Sequence, residues 1–202
     1  GTGLLIAVDD DELAQKAMEE QLEREGTVAL EKAESHGAIK QTILSWDEGE
    51  DEWAAPGTDT ENGELVSLPA NTFGTELNRL IDEHDVVVNV HLYPTGVTGA
   101  QNPEDPLASG TVSREEPIPL YTSGTPGDQT VTVTATVPLY TSDRLQPTER
   151  AHQQFPADPQ KTRTGEERLG DLGFEASYPV PTIFDTGEVY NIVVVEVVIW
   201  DV

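Results

Sequence analysis

Four histidines, His36, His84, His91 and His152, and 38 Asp and Glu residues are the groups in this chain best suited to move protons or hold a cation. There is no cysteine, which excludes thiol nucleophiles, thiolate metal sites and disulfides together. His84 and His91 are close in sequence, but the flanking patterns put the first at the end of a helix and the second inside a strand, so a shared metal is not expected. His91, beside Asn89 on the polar side of its strand, reads as a satisfied surface residue. Asp47, Glu48, Glu50, Asp51 and Glu52 make an oxygen-rich loop of the kind that holds hard cations loosely. They lack the ligand register of an EF-hand, and the plainer reading is a solvated loop. Paired carboxylates can act as acid and base, yet acids are so numerous here that closeness in sequence carries no specificity. The chain has no GxSxG elbow, no GxxxxGK phosphate loop, no HExxH and no dinucleotide fingerprint. We therefore assign no catalytic, cofactor-binding or metal-ligating residue, and expect a protein that is not an enzyme.

The charge balance bounds the partners. Against 38 acids stand 11 Lys and Arg, giving a formal net charge of −27. Such a surface repels nucleic acid and anionic lipid. Two readings follow: a strongly basic partner, or a high-salt medium in which counter-ions screen the repulsion. The spread of acids along the whole chain and the scarcity of Lys favour high salt, the composition of extreme halophiles. A hydrophobic content of 36% across 202 residues suffices for one real core. No segment approaches the roughly 20 apolar residues that span a bilayer. The chain opens GTGLLIAVDD without Met or a basic-then-apolar signal. Leu4 to Val8 is expected to be the tail of a longer apolar segment or a short strand, with ordinary Met removal an equal alternative. Asn-x-Ser/Thr sequons are absent, which weighs mildly against a glycosylated surface, although O-linked sugars on Thr stay open.

The elements that must carry these residues follow from periodicity. Three Asp at 9 to 11 suit a helix N-terminus. Leu13, Ala14, Ala17, Met18 and Leu22 recur at helical spacing to 25, and Gly26 is expected to stop the helix. A second helical stretch is predicted from about Val28 to Trp46, weakened at Gly37, and an exposed acidic loop from Asp47 to Gly63. Asn71 or Thr72 caps a third helix in which Phe73, Leu77, Leu80 and Ile81 share a face. Val86 to Tyr93 then alternates as a strand, stopped by Pro94 and Gly96, with loop to Gly110. Val112 to Tyr121 and Thr130 to Tyr140 are predicted to pair as a hairpin about Pro126 and Gly127. In the second arm Val131, Val133, Ala135, Val137 and Leu139 point inward and the threonines outward. Residues 143 to 187 should wrap the sheet irregularly. Glu188 to Val202 is apolar on both faces and is expected to be a strand in the middle of the sheet. PLYTS occurs at 119–123 and at 138–142, but the flanks do not match and we do not read a duplication.

The expected fold is therefore α+β: a helical region and acidic loop over residues 1–63, and a β-rich head over 64–202 built on an antiparallel sheet with the C-terminal strand central, forming one compact unit. Four stretches in order carry a resemblance: GLLIAVDDDEL with ILSW, LPANTFGTELNRLI with VVVNVHLY, SGTPGDQTVTVTATVPLYTSDRL, and VYNIVVVEVVIW. Together they resemble pilin-like, membrane-anchored surface proteins of haloarchaea. The resemblance implies a type IV pilin kind of N-terminal hydrophobic helix, which is not among these residues and at whose end GLLIAVDD would sit. It further implies a β-rich head outside the cell, at the cell surface, with further copies or other pilin-like subunits as partners, contact with the membrane only through that helix, and no nucleic acid. A tail or connector subunit of a haloarchaeal virus, and a secreted hydrolase using two carboxylates and a His, are the alternatives.

Overall fold

The computed structural model describes residues 10–98, 111–145, 167–173, 176–183 and 187–202. Residues 1–9, with the Leu4 to Val8 segment, and His152 lie outside the described residues, as do 99–110 of the expected loop and parts of 143 to 187.

The first helix, α1 (Asp10–Ser35), begins with Asp10, Asp11 and Glu12 in its first turn, where carboxylates meet the positive end of the helix dipole. It does not stop at Gly26. Leu22, Gly26, Ala29, Leu30 and Ala33 are its buried row, so the apolar periodicity crosses the glycine unbroken. A glycine inside a helix costs about 1 kcal/mol relative to alanine. Here it lets the helix approach the sheet: a Cβ on Gly26 would lie 3.1 Å from both Val133 methyls and 3.3 Å from Ile199 Cδ1. The break comes instead at Gly37, in the left-handed region with φ 68°. A short α2 (Ala38–Ile43) follows, burying Ile39 and Ile43. The second predicted helix is thus the C-terminal half of α1 plus α2, and it ends before Trp46.

Trp46 belongs to β1 (Trp46–Asp47), which pairs with β2 (Glu52–Trp53). The acidic segment is therefore not a plain exposed loop. Trp53 and Ala55 are buried in the core, and the segment continues through β3 (Thr60–Glu61) into β4 (Glu64–Leu65). Trp46 and Trp53 meet edge to face with ring centroids 5.1 Å apart, and Tyr178 stands 6.4 Å from each. Two tryptophans in an acidic stretch have enough apolar area to pull it onto the core.

Asn71 caps α3 (Thr72–His84), its side chain accepting from the Gly74 amide, and Phe73, Leu77 and Leu80 are buried as predicted. Gly74 is required by packing, since a Cβ there would fall 1.7 Å from the Pro69 carbonyl oxygen. β5 (Val86–Tyr93) has the predicted bounds, with Val86, Val88, Val90 and Leu92 almost wholly buried. After Pro94 the chain is not all loop: β6 (Thr95–Thr98) pairs with β7 (Thr111–Arg114) as a separate antiparallel ribbon.

The predicted hairpin does not form. The expected strand from Val112 splits into β7 and β8 (Ile118–Thr122), and β9 (Thr130–Tyr140) is not the partner of β8. The six-stranded sheet has the order β3-β4-β8-β5-β10-β9, with β10 being Val189–Asp201; it is not antiparallel throughout as expected, since β4 runs parallel to β8. Two strands stand between β8 and β9, a separation of about 14 Å at three strand spacings. The seven residues 123–129 can reach about 23 Å. Asn89 holds this crossing: its amide donates to Gly124 O at 2.9 Å, and Ser123 N donates to its Oδ1 at 2.8 Å. β5 and β10 are the most apolar strands, and inserting them between β8 and β9 buries more than a local hairpin would.

The C-terminal strand is interior, next to the edge strand β9, and antiparallel to both β5 and β9. Its two faces are not equal. Val193, Val195, Val197 and Ile199 are fully buried beneath the helices, whereas Ile192, Val194, Glu196 and Val198 are half-buried. α1 and α3 pack side by side on the inner face only. In β9 the alternation is as predicted, valines, Ala135 and Leu139 inward and threonines outward. One continuous core joins residues on both sides of position 63, from Leu22 through Trp53 to Ile199. The two PLYTS stretches span the ends of β8 and β9, with Leu120 and Leu139 pointing into this core.

Candidate functional site

The chemistry-bearing residues are mostly consumed by the fold. Asp47 Oδ1 accepts from the amides of Gly49 and Glu50, and Glu48 Oε2 accepts from Ser177 N, so two members of the acidic cluster close a turn and tie it to a distant strand connection. His36 ends α1 with Nδ1 2.8 Å from the Lys32 carbonyl oxygen. His84 and His91 are not brought together. His91 lies opposite Glu196 in the β5–β10 register. It is not the satisfied surface residue expected: the residue is half-buried, and its Nδ1 is buried without a hydrogen bond. His84 instead meets Glu25 across the α1–α3 contact.

Buried polar groups lock the helices and the C-terminal strand in place. Glu76 on α3 is buried and takes Lys32 of α1 at 2.7 Å and Arg79 at 2.8 Å. Those two cations hold its carboxyl below the usual glutamate range, against a smaller opposing effect of burial. A general acid needs the reverse shift. Asn191, fully buried, accepts from Thr95 N at 2.9 Å and donates to Thr95 O and to Pro181 O. Tyr178 Oη donates to Ile43 O at 2.5 Å, and Tyr190 Oη to Val180 O at 2.7 Å. Burial first, then nearby negative groups, raises the Tyr178 phenol well above its ordinary value and pushes Tyr190 up to about 12.

The surface feature that the fold leaves unused is the N-terminal half of α1. Its row Ala14, Met18, Leu22, Gly26, Ala29 and Ala33 is one helical stripe, but only from Leu22 onward is it covered. Residues 10–21 are exposed or half-buried, with Leu13 62% and Met18 47% exposed. At 1.5 Å per residue, residues 10–21 carry the roughly 39 Å helix about 18 Å beyond its first buried residue, with Gln15 and Glu19 half-buried on the Leu22 side and the other residues exposed. The 3.6-residue pattern was legible in the sequence; that Leu13, Ala14, Ala17 and Met18 are exposed required the structure. Among the described residues no helix is long and apolar enough to cross a membrane.

No curated protein and no solved structure matches the chain. Residues 6–199 match the model of a family of unknown function, DUF7288, and the chain belongs to that family.

Proposed function

We propose that the protein is a non-enzymatic subunit of a pilus-like surface assembly in a salt-loving archaeon. The observation that carries this reading is α1, rooted in the head through Leu22 to Ala33 and projecting with Leu13, Ala14, Ala17 and Met18 uncovered. Apolar residues Leu4, Leu5, Ile6 and Val8 precede it in the sequence. Ala14 and Met18 continue the buried row outward, while Leu13 lies half a turn away on the opposite side, so apolar groups on two sides of the helix are available to neighbouring helices. The head supplies a rigid support, since α1 is fastened by Gly26 against the sheet and by Lys32 to Glu76. A net charge of −27 makes subunits repel one another unless the medium screens them. The Debye length falls to about 3 Å at 1 M salt, so such an assembly is stable only at high salt.

The test is immunogold electron microscopy of the native cells expressing the full-length gene product, parent against a Leu13→Asp, Met18→Asp variant. Filaments containing the parent, lost in the variant while its head unfolds at an unchanged temperature, are expected. A parent that stays monomeric at molar salt overturns the proposal. Rings in place of filaments overturn it in favour of a virion connector.

A further inference from the structure

Where α1 enters the head, a carboxylate of Glu25, a carboxylate of Glu83 and the imidazole of His84 converge from two helices. We infer that these three side chains form a binding site for one divalent transition-metal ion of the zinc class, clamping the root of the projecting helix to α3. One ligand atom from each lies within 4.8 Å of the other two. Ligands at about 2.0–2.2 Å from a common ion lie at most about 4.4 Å apart, so a small side-chain rotation brings all three onto one ion. Glu25 Oε2 and His84 Nε2 are both buried, and neither makes a hydrogen bond of normal geometry although they face one another.

The donor set decides the class of metal. One imidazole nitrogen with two carboxylates, leaving room for water, suits zinc-like ions. Calcium and magnesium prefer oxygen ligands alone and in greater number. Arg79 is the local competitor, its Nη1 standing 3.3 Å from Glu83 Oε2. It is already engaged by Glu76 through Nε and Nη2, so it leaves the other Glu83 oxygen available. The position gives the ion its role. Leu22 is the first buried residue of α1 and Glu25 lies one turn further on, so an ion there fixes the helix at the point where it leaves the head.

The test is Zn2+ titration of the full chain, followed by calorimetry and by thermal unfolding, in a large excess of Mg2+ to fill sites made only of carboxylates. One equivalent of saturable binding is expected. At Zn2+ about 100-fold above its Kd the unfolding temperature rises by about 5–10 °C. Glu25→Gln, nearly isosteric, and His84→Asn each weaken Zn2+ by at least about 100-fold. Absence of saturable binding, its displacement by Mg2+, or equal binding in both variants, as diffuse attraction to the acidic surface would give, overturns the site. Should a variant fail to fold, the Mg2+ competition on the parent still decides.

Discussion

Replacing Gly26 with alanine separates two opposed effects whose sizes follow from the geometry. In an open helix the change stabilises by about 0.8–1.0 kcal/mol, because alanine loses less backbone freedom. At this position the new methyl meets Val133 Cγ1 and Cγ2 at 3.1 Å and Ile199 Cδ1 at 3.3 Å. Those contacts are tighter than ordinary packing, and overfilling a packed core costs about 1–3 kcal/mol. The net expectation is a loss of about 0–2 kcal/mol, or up to roughly 8 °C in unfolding temperature for a chain of this size. Urea unfolding at high salt measures it. A Val133→Ala companion completes a double-mutant cycle: removing the two nearest methyls should recover part of the loss, with a favourable coupling of about 0.5–3 kcal/mol. Stabilisation by the full helix-propensity gain, with no coupling to Val133, would refute the close approach of α1 to the sheet.

Two pH dependences follow from the buried polar groups. Lys32 and Arg79 depress the Glu76 carboxyl, so its contribution is complete above the ordinary glutamate pKa of about 4.3 and is lost as pH falls through the depressed native value. Glu76→Gln should therefore lower stability by roughly 1–3 kcal/mol at neutral pH, and the gap between the urea midpoints of parent and variant should begin to narrow below about pH 4 and close as pH falls through the depressed native value; a constant gap would contradict this. On the alkaline side the Tyr190 phenol is pushed up to about 12. Its stabilisation is fully present below the ordinary tyrosine value of about 10 and is lost as pH rises from there through the native one, a swing of about 2–3 kcal/mol. Tyr190→Phe should flatten that alkaline fall, which thermal unfolding between pH 9 and 12 would record; an unaltered slope would rule the coupling out.

Local pattern was sufficient wherever neighbours in sequence are neighbours in space. The Asn71 cap, the Phe73, Leu77, Leu80 face and the period-two rows of β5 and β9 are of this kind, because capping and amphipathicity are decided within a few residues. The interior place of β10 was also legible, since a run of valines on both faces has little use at an edge. Glycine and turn signals misled where the distant partner decides. Gly26 reads as a stop, but its missing Cβ is the space that Val133 and Ile199 fill. Pro126 and Gly127 read as a hairpin turn, but they lie in a crossing held by Asn89.

The candidate sites divide in the same way. The sequence by itself determined the acidic, cysteine-free surface, the α+β class and the apolar stripe of α1, all properties of composition and period. Only the tertiary structure decided that the stripe loses its cover at Leu22, that Trp53 is core, and that His84 faces Glu25 and not His91. These depend on which helix lies on which strand. That choice is made by summing buried area over residues far apart in the chain, which no local window contains.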